Sequence, residues 1–183
     1  TAVPDDFELR FDWKVSAGCN SGVYYRPGQV EYQVLDNVGS PYGENARQAA
    51  ASLFFCMAPS KDATQPVGQW NTARIICQGS VIEHWLNGER VLSFDYDDPK
   101  WDWYIKLLAA RGGDLTGRKG QLWLQDHGQD VWFRNLRWRE IPKDEVIVPE
   151  PYFEPMPVTG QALAKEEARV KAMLEAKERT AEQ

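Results

Sequence analysis

Residues 7–15 alternate strictly between apolar and polar. Phe7, Leu9, Phe11, Trp13 and Val15 share one face, and Glu8, Arg10, Asp12 and Lys14 the other. A period of two predicts a strand with one buried face. The turn at 17–22 leads into a predicted strand at 23–26, which Pro27-Gly28 ends, and a further strand follows at 31–36. Residues 37–50 are rich in Gly, Pro, Asn and Ser and read as a long loop. The continuous apolar run 52–57 predicts a central strand, and 59–68 a second loop. Three strands are expected within 70–96, with turns at Gly79 and at Asn87-Gly88, the latter a strong hairpin signal. Strands at 103–109, 120–125 and 131–141 complete the series, and no helical period stands out before residue 160. Many short strands separated by turn signals predict an all-β fold: a two-sheet antiparallel jelly-roll sandwich, with an up-and-down barrel as its competitor.

The character changes at Pro142. Pro142, Pro149, Pro151, Pro155 and Pro157 favour an extended linker over 142–160. Residues 161–183 are rich in Ala, Glu, Lys and Arg and predict one charged C-terminal helix. Its apolar stripe is thin: Leu163, Val170, Met173 and Leu174. Such a helix is either solvated or docks on a protein partner or a second copy of the chain.

Composition narrows the function. The net charge is −6, which disfavours nucleic acid as a partner. No run approaches the ~20 apolar residues of a membrane-spanning helix. Cys19, Cys56 and Cys77 are widely spaced with no Cys-x-x-Cys pair, so they read as buried structural thiols. The two histidines, His84 and His127, cannot build a His-rich metal site. No cofactor is expected, although an oxygen-ligand calcium site in a loop stays open. The chain starts at Thr1 without a charged-then-apolar leader, which fits a processed chain, a trimmed one or a fragment. Eight Trp, seven Tyr and seven Phe suit a sandwich core and equally suit stacking on sugar rings.

Candidate chemistry lies in polar residues set within apolar strands. Alternation puts Glu31 and Gln33 on one face, opposite Tyr32 and Val34. It likewise groups Trp123, Gln125 and His127 opposite Leu122, Leu124 and Asp126. A carboxylate, two amides, an imidazole and an indole on one face would suit a polyhydroxylated ligand. The competing reading is that each is the solvated side of a sheet. Arg134, with Arg137 and Arg139, alternates with apolar residues and could pair with a buried acid. His84, beside Trp85 and a tight hairpin, reads as packing.

Six strings occur in order: Asn20-Ser-Gly-Val-Tyr-Tyr-Arg26, Glu31-Tyr-Gln-Val-Leu-Asp36, Gly68-Gln-Trp-Asn71, His84-Trp-Leu-Asn-Gly88, Leu124-Gln-Asp-His-Gly128 and Val131-Trp-Phe-Arg-Asn135. Together they resemble the 3-keto-disaccharide hydrolase family over about residues 6–141. The resemblance implies a concanavalin A-like jelly roll with a sugar site on the concave sheet. It also implies bacterial proteins, many of them exported to the periplasm or outside the cell, acting on glycosides already oxidised at C3. Members normally begin some tens of residues earlier, so domain 1–141 is expected to lack its first strands. The tail lies outside the family core.

On this reading the reaction needs a base at C2, an electrophile on the C3 oxygen and an acid near the glycosidic oxygen. Glu31 is the first choice as base, with His127 as partner and Asp12 as a second carboxylate. Asn20, Arg26, Gln33, Trp70, Asn71, Trp123, Gln125 and Arg134 are the candidate substrate-binding residues. Two alternatives remain: a noncatalytic carbohydrate-binding module, and a structural or interaction protein that uses a degenerate jelly roll and its tail helix.

Overall fold

The computed structural model describes residues 2–147 and 151–181. In chain order these form β1 (Ala2–Val3), β2 (Phe7–Val15), β3 (Asn20–Arg26), β4 (Val30–Leu35), β5 (Asn71–Gln78), β6 (Val81–Leu86), β7 (Glu89–Asp95), α1 (Asp102–Ala110), β8 (Gly120–Gln121), β9 (Trp123–Leu124), β10 (Val131–Glu140) and α2 (Gly160–Ala181). One sheet runs β10-β2-β5-β6-β7, a second runs β4-β3-β9, and β1 pairs with β8. Every pairing is antiparallel. This is the expected two-sheet sandwich of jelly-roll type.

The alternation of residues 7–15 sets the core. Phe7, Leu9, Phe11, Trp13 and Val15 are all buried, against Val23 and Tyr25 of β3 and Tyr32 and Val34 of β4. Phe11 meets Tyr32 edge-on, with centroids 5.4 Å apart. Each such large side chain contributes roughly 1.5–3 kcal/mol by leaving water. The Asn87-Gly88 turn takes φ of 52° and 83°. Two successive left-handed residues match a primed hairpin turn and fix the β6–β7 register. Cys19, Cys56 and Cys77 are buried free thiols, as expected. Burial pushes Cys19 and Cys77 up to about 11 and Cys56 up to about 12, so none is a ready nucleophile.

Three expectations are corrected. The apolar run 52–57 is not a central strand but a folded loop. Phe55 takes a left-handed φ of 59°, and Leu53 only bridges Tyr32 and Met57. Its apolar character comes from covering the edge of β4: Gln33 N–H donates to the Ser52 carbonyl, Ala51 N–H to the Gln33 carbonyl and Phe54 N–H to the Glu31 carbonyl. Residues 103–109 are helical in α1, not a strand. Tyr104, Leu107 and Leu108 follow helical spacing. Asp98 caps the preceding turn, Pro99 enters it, and Gly112 and Gly113 close the far end. The strand expected over 120–125 is only the two short pieces β8 and β9.

The tail folds back on its own domain. Within the segment after Pro142, Phe153 is buried and stacks on Trp101 at 5.5 Å. Pro149 lies outside the described residues. Helix α2 packs Val170, Met173 and Leu174 against Phe55 and Leu107. Its buried Glu166 accepts from Asn45 at 2.6 Å and pairs with Arg47.

Candidate active site

The three-stranded sheet aligns the candidate residues by register. Glu31 of β4 pairs with Tyr24 of β3, and Tyr24 pairs with Trp123 of β9. Directly paired residues share a sheet face, so carboxyl, phenol and indole form one row across the outer face. Beside it, Gln33 pairs with Gly22, and Gln125 N–H donates to the Gly22 carbonyl at 2.9 Å. Gln33 Nε2 donates to Asn20 Oδ1 at 3.1 Å, and Gln125 Nε2 to the Tyr24 hydroxyl at 2.8 Å.

These bonds consume donors and leave acceptors. Both Glu31 carboxyl oxygens, Gln33 Oε1, Gln125 Oε1 and Ser52 Oγ are buried without a hydrogen-bond partner. Burying polar atoms unpaired costs stability. Five in one neighbourhood mark a place adapted to something other than folding. The Tyr24 hydroxyl lies beside Glu31, and burial followed by that carboxylate raises its pKa, which keeps the phenol protonated. Burial raises Glu31 to about 7, against the opposing pull of the Arg111 charge and of Tyr24. A carboxyl poised near neutrality suits proton transfer.

The cover over Glu31 explains the shift. Arg111, at the C-terminal end of α1, donates through Nη1 to the Phe54 carbonyl at 2.7 Å and through Nη2 to Gln29. The 47–57 loop is pinned from beneath by His84, which spans the Tyr25 hydroxyl at 2.8 Å and the Ala51 carbonyl at 2.9 Å. His84 is fully buried, and burial lowers its pKa to about 4, so it is a neutral core strut. Glu31 and Gln33 therefore sit beneath the surface, while Trp123 is 62% exposed at the open end of the row. Gly22 is fixed by this arrangement: a Cβ there would overlap Glu31 Oε1.

Comparison with known proteins decides the family. Residues 2–139 match the model of the 3-keto-alpha-glucoside-1,2-lyase-like domain. The chain belongs to this family. A 3-keto-disaccharide hydrolase from Bacteroides thetaiotaomicron is 32% identical over 168 residues, covering 72% of this chain. The chain spans only 57% of that relative's length. A crystal structure of a candidate glycosyl hydrolase from Parabacteroides distasonis superposes with TM-score 0.63 at 26% identity, covering 77% of this chain and 80% of the other. A second from the same organism gives TM-score 0.67 at 24% identity, covering 78% and 74%, and supports the fold alone.

Within this family member, five of the eleven expected site residues meet: Glu31, Gln33, Asn20, Trp123 and Gln125. His127 lies past the end of β9 in an exposed turn. Arg26 follows a bulge in β3 and staples the chain start, donating to the Pro4, Asp5 and Arg118 carbonyls. Asn71 is buried in the loop network, where its Oδ1 accepts from Gln65 N–H and Asn87. Asp12, Trp70 and Arg134 cluster on the other sheet, with Arg134 bonding Asp12 at 3.1 Å and lying 3.9 Å from the Trp70 ring centre. Gly22, Tyr24 and Arg111 are the additions. Tyr24 and Gly22 were within reach of the sequence, because strand pairing sets them opposite Glu31 and Gln33. Among the described residues no group of three or more His, Cys, Asp and Glu side chains could hold a metal ion.

Proposed function

We propose that the outer face of the β4-β3-β9 sheet cleaves glycosides oxidised at C3, with Glu31 as the base. The ketone acidifies the C2–H bond. Glu31 takes that proton, and the bonding pair forms the enediolate between C2 and C3. The pair then expels the C1 substituent, whose oxygen is protonated as it leaves. Water adds across the resulting enone: hydroxide bonds C1 and a proton returns to C2, giving net hydrolysis. The Tyr24 hydroxyl, opposite Glu31 in the strand register, is a neutral proton donor beside it. Arg111 is the cation that offsets negative charge on the enediolate. Gln33, Gln125 and Ser52 accept from sugar hydroxyls, and Trp123 stacks on the ring. Substrate reaches Glu31 by displacing the 47–57 cover.

The observation that carries this reading is the set of unpartnered buried acceptors around a carboxyl raised to about 7. An acceptor-rich site calls for a donor-rich ligand, and a sugar is one. Family membership supports the choice of an oxidised sugar. The test is turnover of a 3-keto-glycoside by Glu31→Gln, Tyr24→Phe and His127→Ala. Glu31→Gln should lose at least ~10²-fold, the usual share of a general base. Wild-type rates in Glu31→Gln would remove this site. Binding of the keto sugar with no turnover by the unaltered chain would favour a carbohydrate-binding module.

A further inference from the structure

The opposite face of the sandwich carries its own unusual chemistry. Arg137 of β10 pairs with Arg10 of β2, Arg10 with Arg74 of β5, Arg74 with Trp85 of β6, and Trp85 with Arg90 of β7. Three guanidiniums in directly opposed positions repel one another, which costs stability unless something compensates. Compensation within the chain is partial. Glu8 is buried beneath them and accepts from Arg10 Nε at 2.6 Å, Arg74 Nε at 2.7 Å and Arg139 Nε at 2.8 Å. Burial alone would raise the Glu8 pKa, but the bonds from Arg139 and Arg10 and the charge of Arg74 hold it below the usual carboxylate value. Arg139 spends both Nη groups on Glu145, whereas among the described residues Arg10 and Arg74 hydrogen-bond to the protein through Nε alone, with the Arg74 guanidinium 5.3 Å from the centre of the Trp85 ring. Among the described residues Arg137 has no carboxylate partner.

Two adjoining grooves meet at Arg10 and Arg137. One, of about 270 Å³, is walled by Glu8 and Arg139. The other, of about 380 Å³, is walled by Arg74, Trp85 and Asn135. Guanidinium forks match planar or tetrahedral oxyanions, and the flat indole of Trp85 beside them matches a sugar ring. The excess of positive charge sits on a chain whose net charge is −6, so it is a local feature and not a general affinity for anions.

We infer that the outer face of the five-stranded sheet is a second, noncatalytic carbohydrate site that binds sugars bearing a carboxylate or a sulfate. The anion spans the Nη donors of Arg10 and Arg74 and the guanidinium of Arg137, and the ring lies against Trp85. The site is independent of Glu31 and of turnover.

Calorimetric titration of the full chain with oligogalacturonate, dextran sulfate and neutral dextran tests this, at low and at physiological ionic strength. At least one acidic probe should bind and neutral dextran should not. The probe that binds names the anion. Arg137→Ala combined with Arg10→Ala should weaken binding at least about tenfold, and Arg137→Ala alone, which breaks no ion pair, should weaken it measurably. Glu31→Gln should leave it unchanged. Absence of binding by both acidic probes, equal binding of neutral dextran, or unchanged binding in both arginine variants would overturn the inference.

Discussion

Glu31 joins a pH-dependent stability to the proposed chemistry in one side chain. Its pKa is raised from the ordinary 4.5 to about 7, first by burial. The folded chain thus holds the Glu31 proton more tightly than the unfolded chain does. Stability from this group is complete below pH 4.5 and is lost as pH rises through about 7. Glu31→Gln removes that dependence. In denaturant melts the variant should gain on the unaltered chain between pH 5 and pH 8 by on the order of 2 kcal/mol. Activity runs the other way, because a base must be ionised: kcat/KM should rise with pH through about 7. Arg111 pulls the Glu31 pKa down, so Arg111→Met should move that rise to higher pH, read from the same profile. Gly22→Ala places a methyl group into Glu31 Oε1. It should cost about 1–3 kcal/mol and most of the turnover, in melts and rate assays together. At this scale the sequence was informative where strand alternation governs. Glu31 and Gln33 share a face because β4 is regular, and Trp123 and Gln125 join them. Arg111 was hidden because it approaches from a helix more than seventy residues away, and no local pattern encodes that distance. Asp12 was misleading for the same reason: its polar face is real but belongs to the other sheet.

Elements that cover the site obey tertiary context over local pattern. The apolar run at 52–57 carries a strand-like composition, yet it closes β4 as a loop because the free edge of that strand needs partners. Helix α1 was readable from the spacing of Tyr104, Leu107 and Leu108 and from its glycine stop, but its short apolar run matches a strand equally well. The tail helix was foreseen, while its docking in cis was not. Four apolar residues in a charged helix do not reveal which surface they cover. Because Val170 closes the Phe55–Leu107 cluster, Val170→Asp should destabilise the chain by about 2–4 kcal/mol and expose α2 to limited proteolysis. A protease pattern identical to that of the unaltered chain would mean the helix is not held by this contact.

The whole molecule is a sandwich with two differently equipped outer faces. One presents acceptors around a near-neutral carboxyl; the other presents guanidiniums beside the Trp85 indole. Hydrophobic patterning determines that a sandwich forms, since the β2 alternation and the Asn87-Gly88 hairpin leave few other ways to bury the aromatics. It does not determine which polar face holds the proposed chemistry. That choice follows from the pairing order β4-β3-β9, which joins strands about a hundred residues apart. Phe153 ties the tail to the same core through Trp101, so Phe153→Ala should lower the stability of the whole domain by about 3 kcal/mol in a single cooperative melt.

The proposed removal of the C2 proton by Glu31 is best followed directly. A 3-keto-glycoside is turned over in deuterium oxide, and C2 of product and recovered substrate is read by nuclear magnetic resonance against an enzyme-free control. Deuterium should enter C2 with the unaltered chain and fall to the control level with Glu31→Gln. Cleavage that leaves the original hydrogen on C2, or exchange that persists in Glu31→Gln, would contradict Glu31 as the base.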